Sequence, residues 1–83
     1  MSVTVKLVGF GDDRPSRFGD KNRLQLEIET PVSVRELLQA AGIEEAGDLI
    51  ALDSEIVIAP ADWDEPEIQD QTTLTIFAAI EGG

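Results

Sequence analysis

The sequence predicts an α+β fold in which one helix packs on one face of a mixed β-sheet. Apolar and polar side chains alternate near both ends of the chain, which is the pattern of half-buried strands. A short segment between these strands has helical periodicity, and capping residues mark both of its ends. Since a sheet cannot bury its apolar face alone, we expect the helix to cover that face.

The first two strands are predicted to form a hairpin. Residues 3–10 and 24–29 both alternate between apolar and polar side chains. The intervening residues 11–23 are polar and contain proline and glycine, so we expect a long loop.

The helix is predicted over residues 34–41. Ser33 can accept the first free backbone N–H group, and Glu36 follows three residues later, as in a capping box. Gly42 suits the left-handed conformation that ends many helices. One apolar face results, made of Val34, Leu37, Leu38 and Ala41.

The second half of the chain predicts three more strands. Residues 49–52 and 56–58 are short apolar runs separated by a turn at 53–55. Residues 73–80 alternate again, so Phe77 faces away from the aliphatic side chains of that strand. We therefore expect a sheet of four or five strands.

Composition excludes several kinds of chemistry. The chain has 83 residues and no cysteine or histidine, so thiol nucleophiles and serine–histidine–aspartate triads are impossible. Zinc and most transition-metal sites lack their usual ligands. We expect no metal site, including at the acidic cluster Asp62, Asp64, Glu65 and Glu67, which lacks the spacing of a calcium loop.

The charge balance limits the partners. The net charge is −11, from 17 acidic and 6 basic residues. Such a chain repels nucleic acids and anionic membranes, and we expect its partners to carry basic patches. The alternative is that the acidity only keeps the protein in solution. No apolar run approaches the length of a membrane span, and no signal peptide is recognisable, so a cytoplasmic location is expected.

Three further features have a structural and a functional interpretation. Trp63 is expected to fill the core beneath an irregular segment. Gly9-Phe10-Gly11 is too short a match to a phosphate loop to predict one. Four of the six basic residues lie in one loop, namely Arg14, Arg17, Lys21 and Arg23. This loop is either simply solvated or contacts an acidic partner or an anionic substrate.

The predicted order of elements, followed by Gly82-Gly83, resembles the β-grasp fold of ubiquitin-like proteins and more closely the MoaD/ThiS family of sulfur carriers. The segments that carry the resemblance are SVRELLQAAGI, IVIAPADW and TLTIFAAIEGG. One departure is Asp70-Gln71-Thr72, where family members often have Asp-Gly-Asp. The resemblance implies one β-grasp domain over residues 1–83, with 81–83 as a flexible tail.

The resemblance also implies a carrier that is not itself an enzyme and binds no cofactor. An E1-like adenylating enzyme would use ATP to activate the Gly83 carboxylate. A sulfur donor would convert it to a thiocarboxylate, and an acceptor synthase subunit would receive the sulfur. Glycines suit such a tail, because a residue without Cβ can pass through a narrow channel.

The expected sites follow from this mechanism. Gly83 and Gly82 are the reactive end. The residues expected to bind the partner enzyme are Phe77, Ala79, Ile80, Glu81 and Val8. For Phe77 the alternative is packing beneath residues 59–70.

Three functions remain open from the sequence. The first is a sulfur carrier for thiamine or molybdopterin synthesis. The second is a ubiquitin-like modifier joined to lysines through Gly83. The third is a binding module in which Gly-Gly is incidental.

Overall fold

The computed structural model describes residues 1–45 and 48–78. They form a five-stranded sheet and one α-helix, as predicted. The elements in chain order are β1 (Ser2–Val8), β2 (Arg23–Glu27), α1 (Val34–Ala41), β3 (Leu49–Asp53), β4 (Ile56–Ile58) and β5 (Thr73–Ala78).

The sheet is mixed, with the strand order β2-β1-β5-β3-β4. The central strand β5 runs parallel to its neighbour β1, and every other pair of neighbours is antiparallel. The first and last strands of the chain therefore lie side by side in the middle of the sheet. This topology, with one main helix, confirms the predicted β-grasp fold.

The helix begins and ends where its capping residues predicted. Oγ of Ser33 accepts a hydrogen bond from the backbone N–H of Glu36 at 3.1 Å. Gly42 follows the helix in the left-handed conformation, with φ 78° and ψ 23°. The apolar face is buried as expected and packs in the core with the inner side chains of the sheet, Val3, Val5, Leu7, Leu74 and Ile76.

The loop between β1 and β2 is more structured than its polar composition indicated. A 3-10 turn at Ser16–Phe18 buries the ring of Phe18 in the core. Arg14 donates hydrogen bonds to the carbonyls of Gly11 and Gly19, and Arg17 donates to the carbonyl of Ala40 on the helix. Most of the loop is exposed, as a solvated loop would be, but the ring of Phe18 and the guanidinium group of Arg17 anchor it to the rest of the protein.

The segment after β4 is anchored by Trp63. Its ring is buried, and Nε1 donates to the carbonyl of Ile58 at 3.0 Å, which confirms the predicted core role. Arg35 lies over the same ring, 5.9 Å from its centroid, and donates to Asp64 at 2.7 Å and Glu45 at 2.6 Å. The pKa of Arg35 is raised, mainly by its hydrogen bond to Asp64 and next by its hydrogen bond to Glu45.

The turn before β5 contains a backbone conformation that glycine would adopt more easily. Gln71, in the turn Asp70-Gln71-Thr72, has φ 65°. Only glycine enters this region without a clash between Cβ and the carbonyl oxygen. The Gln71 N–H nevertheless donates to the carbonyl of Ser2 at 2.6 Å, so the turn ties β5 to the start of β1.

Replacing Gln71 with glycine is expected to stabilise the protein. The left-handed conformation costs a non-glycine residue about 1–2 kcal/mol, and glycine removes this cost. Glycine also gives the unfolded chain more conformational entropy, which offsets about 0.5–1 kcal/mol of the gain in stability. Urea unfolding should therefore give a free energy of unfolding higher by about 0.5–1 kcal/mol.

Gln69→Gly is the matched control, because Gln69 has no positive φ and should lose stability on the same substitution. A destabilised Gln71→Gly protein would contradict the prediction.

Candidate functional site

The sheet presents one face to the helix and leaves the opposite face, here called the outer face, without a covering element among the described residues. Side chains alternate between the two faces, so fully buried Ile76 lies in the core and Phe77 lies on the outer face. Trp63 and Ile68 are buried in the core on the helix side. Packing of Phe77 beneath residues 59–70 is therefore wrong.

Phe77 is the centre of an apolar row that crosses three strands. It pairs with Val8 of β1 on one side and with Ile50 of β3 on the other. Phe77 and Val8 are half-buried, and Ile50 is 44% exposed. The structure thus places two of the predicted partner-binding residues side by side and adds Ile50, which the sequence analysis did not single out.

The apolar surface continues toward the edge of the sheet. Leu52 pairs with Val57 of the edge strand β4, and Val57 is 62% exposed. Leu52 also pairs with Thr75, which lies on the outer face two residues before Phe77. A contiguous apolar patch on a small protein commonly marks a protein-binding surface.

The outer face ends at the root of the C-terminal segment. Because β1 and β5 are parallel, Val8 and Phe77 both lie close to the carboxyl ends of their strands. β5 ends at Ala78, five positions before Gly83. The predicted site residues Ala79, Ile80, Glu81, Gly82 and Gly83 lie outside the described residues.

Gly9 closes this end of the sheet. It has φ 82°, and a Cβ built on it would lie 2.9 Å from the carbonyl oxygen of Ala78. In the sequence, Gly9 stood out only as part of the incomplete phosphate-loop match Gly9-Phe10-Gly11. The structure shows that the backbone of Ala78, at the end of β5, lies too close to Gly9 for a side chain there.

An open cleft lies beside this contact, between the β1–β2 loop and the end of the helix. Its volume is about 620 Å³. Charged and apolar groups both line it, including Phe10, Arg14, Ile43, Glu44 and Leu49, and Gly9 and Ala78 form its border with the sheet. The cleft therefore adjoins the root of the C-terminal segment on the side away from the apolar row.

The described residues offer little else of catalytic interest. The chain has no histidine or cysteine, and among residues 1–45 and 48–78 no three carboxylate side chains form a group that could hold a metal ion. No helix in the described part of the chain is long and apolar enough to cross a membrane. The basic loop contributes Arg14 to the cleft, whereas Arg17 is bonded to the helix.

In a comparison with known protein families, residues 15–83 match the model of the ThiS family. The chain belongs to the ThiS family. No curated protein is similar enough in sequence to count as a match. ThiS-family proteins are small ubiquitin-like sulfur carriers and not enzymes themselves, and the family implies interaction with an E1-like activating enzyme.

The ThiS match covers the parts of the chain that form the candidate site. It runs from the β1–β2 loop through β3, β4 and β5, and so includes Ile50, Phe77 and the terminal Gly82-Gly83. Val8 and Gly9 lie before the matched region and join the site through the pairing of β1 with β5.

Proposed function

We propose that this protein is a sulfur carrier whose Gly83 carboxylate is adenylated by an E1-like enzyme and then converted to a thiocarboxylate. The observation that carries the proposal is the ThiS-family match, which extends through Gly82-Gly83. Parallel pairing of β1 and β5 also brings the apolar row to the root of the segment that holds these glycines.

The chemistry proceeds in two balanced steps. A carboxylate oxygen of Gly83 forms a bond to the α-phosphorus of ATP, and pyrophosphate leaves. The sulfur of a donor, formally hydrosulfide, then forms a bond to the acyl carbon, and AMP leaves. The enzyme supplies ATP and the groups that stabilise the developing charge, while the carrier supplies the acyl group.

Intact mass spectrometry tests this function directly. The protein is incubated with the E1-like enzyme of its source organism, ATP and a sulfur donor. The expected product has gained the mass difference between one sulfur and one oxygen, located at Gly83. Protein adducts through lysine, with no sulfur at Gly83, would instead identify a modifier.

The acceptor of the sulfur defines the pathway. The thiocarboxylated protein is supplied separately to a thiamine-type and a molybdopterin-type synthase. Loss of sulfur from Gly83 with one synthase and not with the other assigns the pathway.

Docking of the enzyme is proposed on the apolar row of Val8, Phe77 and Ile50. Side chains from three neighbouring strands form this row, and Phe77 lies at its centre. Central aromatic residues contribute most to the binding energy of protein interfaces. Ala79, Ile80 and Glu81 would follow the row into the enzyme and bring Gly83 to ATP.

Phe77→Ala is expected to weaken binding to the E1-like enzyme by about tenfold or more, because truncation removes a central anchor. Isothermal titration calorimetry measures the change. Thr73→Ala is the matched control, since Thr73 lies on the same strand and face but outside the apolar row.

Both variants must remain folded by circular dichroism for the comparison to hold. Unchanged affinity of a folded Phe77→Ala protein would exclude the apolar row as the docking surface.

A further inference from the structure

Two basic side chains lie directly opposite each other on the outer face. Lys6 of β1 pairs with Arg23, the first residue of β2. Lys6 lies between buried Val5 and Leu7, so it points to the outer face, and Arg23 is exposed. We call these two residues the basic pair.

The basic pair has no acidic partner within residues 1–45 and 48–78, where neither side chain forms a salt bridge. Among the described strand residues of the outer face, the acidic side chain is Glu27. It lies opposite Ser2, four positions along the sheet and about 13 Å from the basic pair. A chain with net charge −11 thus leaves a small positive area on this face.

Like charges directly opposite each other on neighbouring strands destabilise a sheet. The repulsion between Lys6 and Arg23 therefore lowers the stability of the isolated protein. A carboxylate from another molecule placed between the two side chains would relieve the repulsion and form two charge-assisted hydrogen bonds.

The basic pair adjoins the apolar row. Lys6 lies two residues before Val8, about 7 Å along the strand and on the same face. A partner that covers Phe77 therefore extends over Lys6 as well, since a standard interface covers about 800 Å² on each side.

We propose that the outer face binds a protein surface with an apolar centre and at least one carboxylate at its rim, and that the basic pair receives this carboxylate. The inference rests on the proposed function, because the occupant is taken to be the E1-like enzyme. It reverses, for this face, the expectation that partners of an acidic chain are basic. The acidic remainder of the surface still favours basic groups elsewhere on the enzyme.

The geometry favours a protein over the other occupants. A nucleic acid would be repelled by the net charge and would leave the apolar row uncovered. A second copy would bring an identical face with its own basic pair, and Glu27 is the acidic side chain among the described strand residues of that face.

The variant Arg23→Glu tests the proposal through two opposed effects. In the isolated protein it replaces repulsion from Lys6 with attraction, so the Tm should rise by about 1–6 °C. Toward the enzyme it removes one cation and adds a like charge, so affinity should fall about tenfold or more. A residue that only supports the fold would not give greater stability together with weaker binding.

The control carries the same change in net charge away from the outer face. Gln39 on α1 and Gln69 in the segment before β5 are exposed, and the double variant Gln39→Glu/Gln69→Glu should bind the enzyme nearly as the wild type does. Lys6→Gln gives a second measure, with the same direction of change in affinity as Arg23→Glu.

The outcomes separate this inference from the proposed function. If Arg23→Glu binds the enzyme with unchanged affinity and forms the thiocarboxylate at an unchanged rate, the basic pair does not bind the enzyme. The sulfur-carrier function would still hold. If the Tm of Arg23→Glu does not rise, Lys6 and Arg23 do not repel each other and the inference fails. Wild-type protein that neither binds the enzyme nor gains sulfur overturns both. Two results would identify a different occupant. If the wild type binds a short DNA duplex and Arg23→Glu does not, the occupant is a nucleic acid. If the wild type sediments as a dimer and Arg23→Glu does not, the occupant is a second copy.

Discussion

Deleting Gly83 is expected to lower the rate of adenylation by at least about 100-fold while the fold stays intact. The deletion leaves a carboxylate on Gly82, about 3.5 Å short of its normal reach along an extended chain. Displacements of about 1 Å at a reacting centre already cost about 100-fold in rate. Pyrophosphate release, followed with the E1-like enzyme and ATP, measures the effect.

A second variant separates reach from chemistry. A semisynthetic protein with Gly83 as its C-terminal amide has the full length but lacks the carboxylate oxygen that attacks phosphorus. It should release no pyrophosphate while binding the enzyme almost as well as the wild type. Thermal unfolding should be nearly unchanged in both variants, because the described core ends at Ile76. Full activity after loss of Gly83 would contradict the proposed mechanism.

The helix and the order of elements along the chain were predictable because local signals specify them. Ser33, Glu36 and Gly42 set the ends of α1 through backbone hydrogen bonds within one turn. Alternation fixed which side chains of β1 and β5 face the core, so the outward position of Phe77 was also predictable.

The arrangement of the outer face was less predictable, since it depends on register between strands that are distant in sequence. Periodicity assigns Val8, Ile50 and Phe77 to faces, but only the pairing of β1, β5 and β3 aligns them in one row. The opposition of Lys6 and Arg23 likewise depends on how the long loop closes the first hairpin.

The structure of that loop was missed because its composition is polar. Phe18 is the apolar aromatic residue between Pro15 and Gly19, and its burial gives the loop an anchor that no periodic pattern indicates. A single aromatic residue flanked by breakers in a long loop could have suggested such an anchor.

Replacing Gly9 with alanine is expected to lower the free energy of unfolding by about 2–4 kcal/mol. Two costs contribute. The φ of 82° penalises a side chain, and a Cβ would lie 2.9 Å from the carbonyl oxygen of Ala78, a backbone atom that cannot rotate away. Urea unfolding measures the loss of stability.

Gly11→Ala is the matched control. Gly11 also has a positive φ, 56°, but a Cβ there would meet no atom within 4 Å. It should therefore show only the conformational cost, about 1–2 kcal/mol. The difference between the two variants isolates the contact with Ala78, and equal losses would show that this contact has no energetic role.

Gly9 also connects stability to function. Relief of the clash requires Ala78 to move away from β1, and Ala78 ends the strand from which residues 79–83 continue. At a temperature where both variants are folded, Gly9→Ala should therefore be adenylated more slowly than Gly11→Ala, with the larger effect on turnover at saturating carrier. Equal turnover of the two variants would mean that the enzyme positions the C-terminal segment without help from the end of β5.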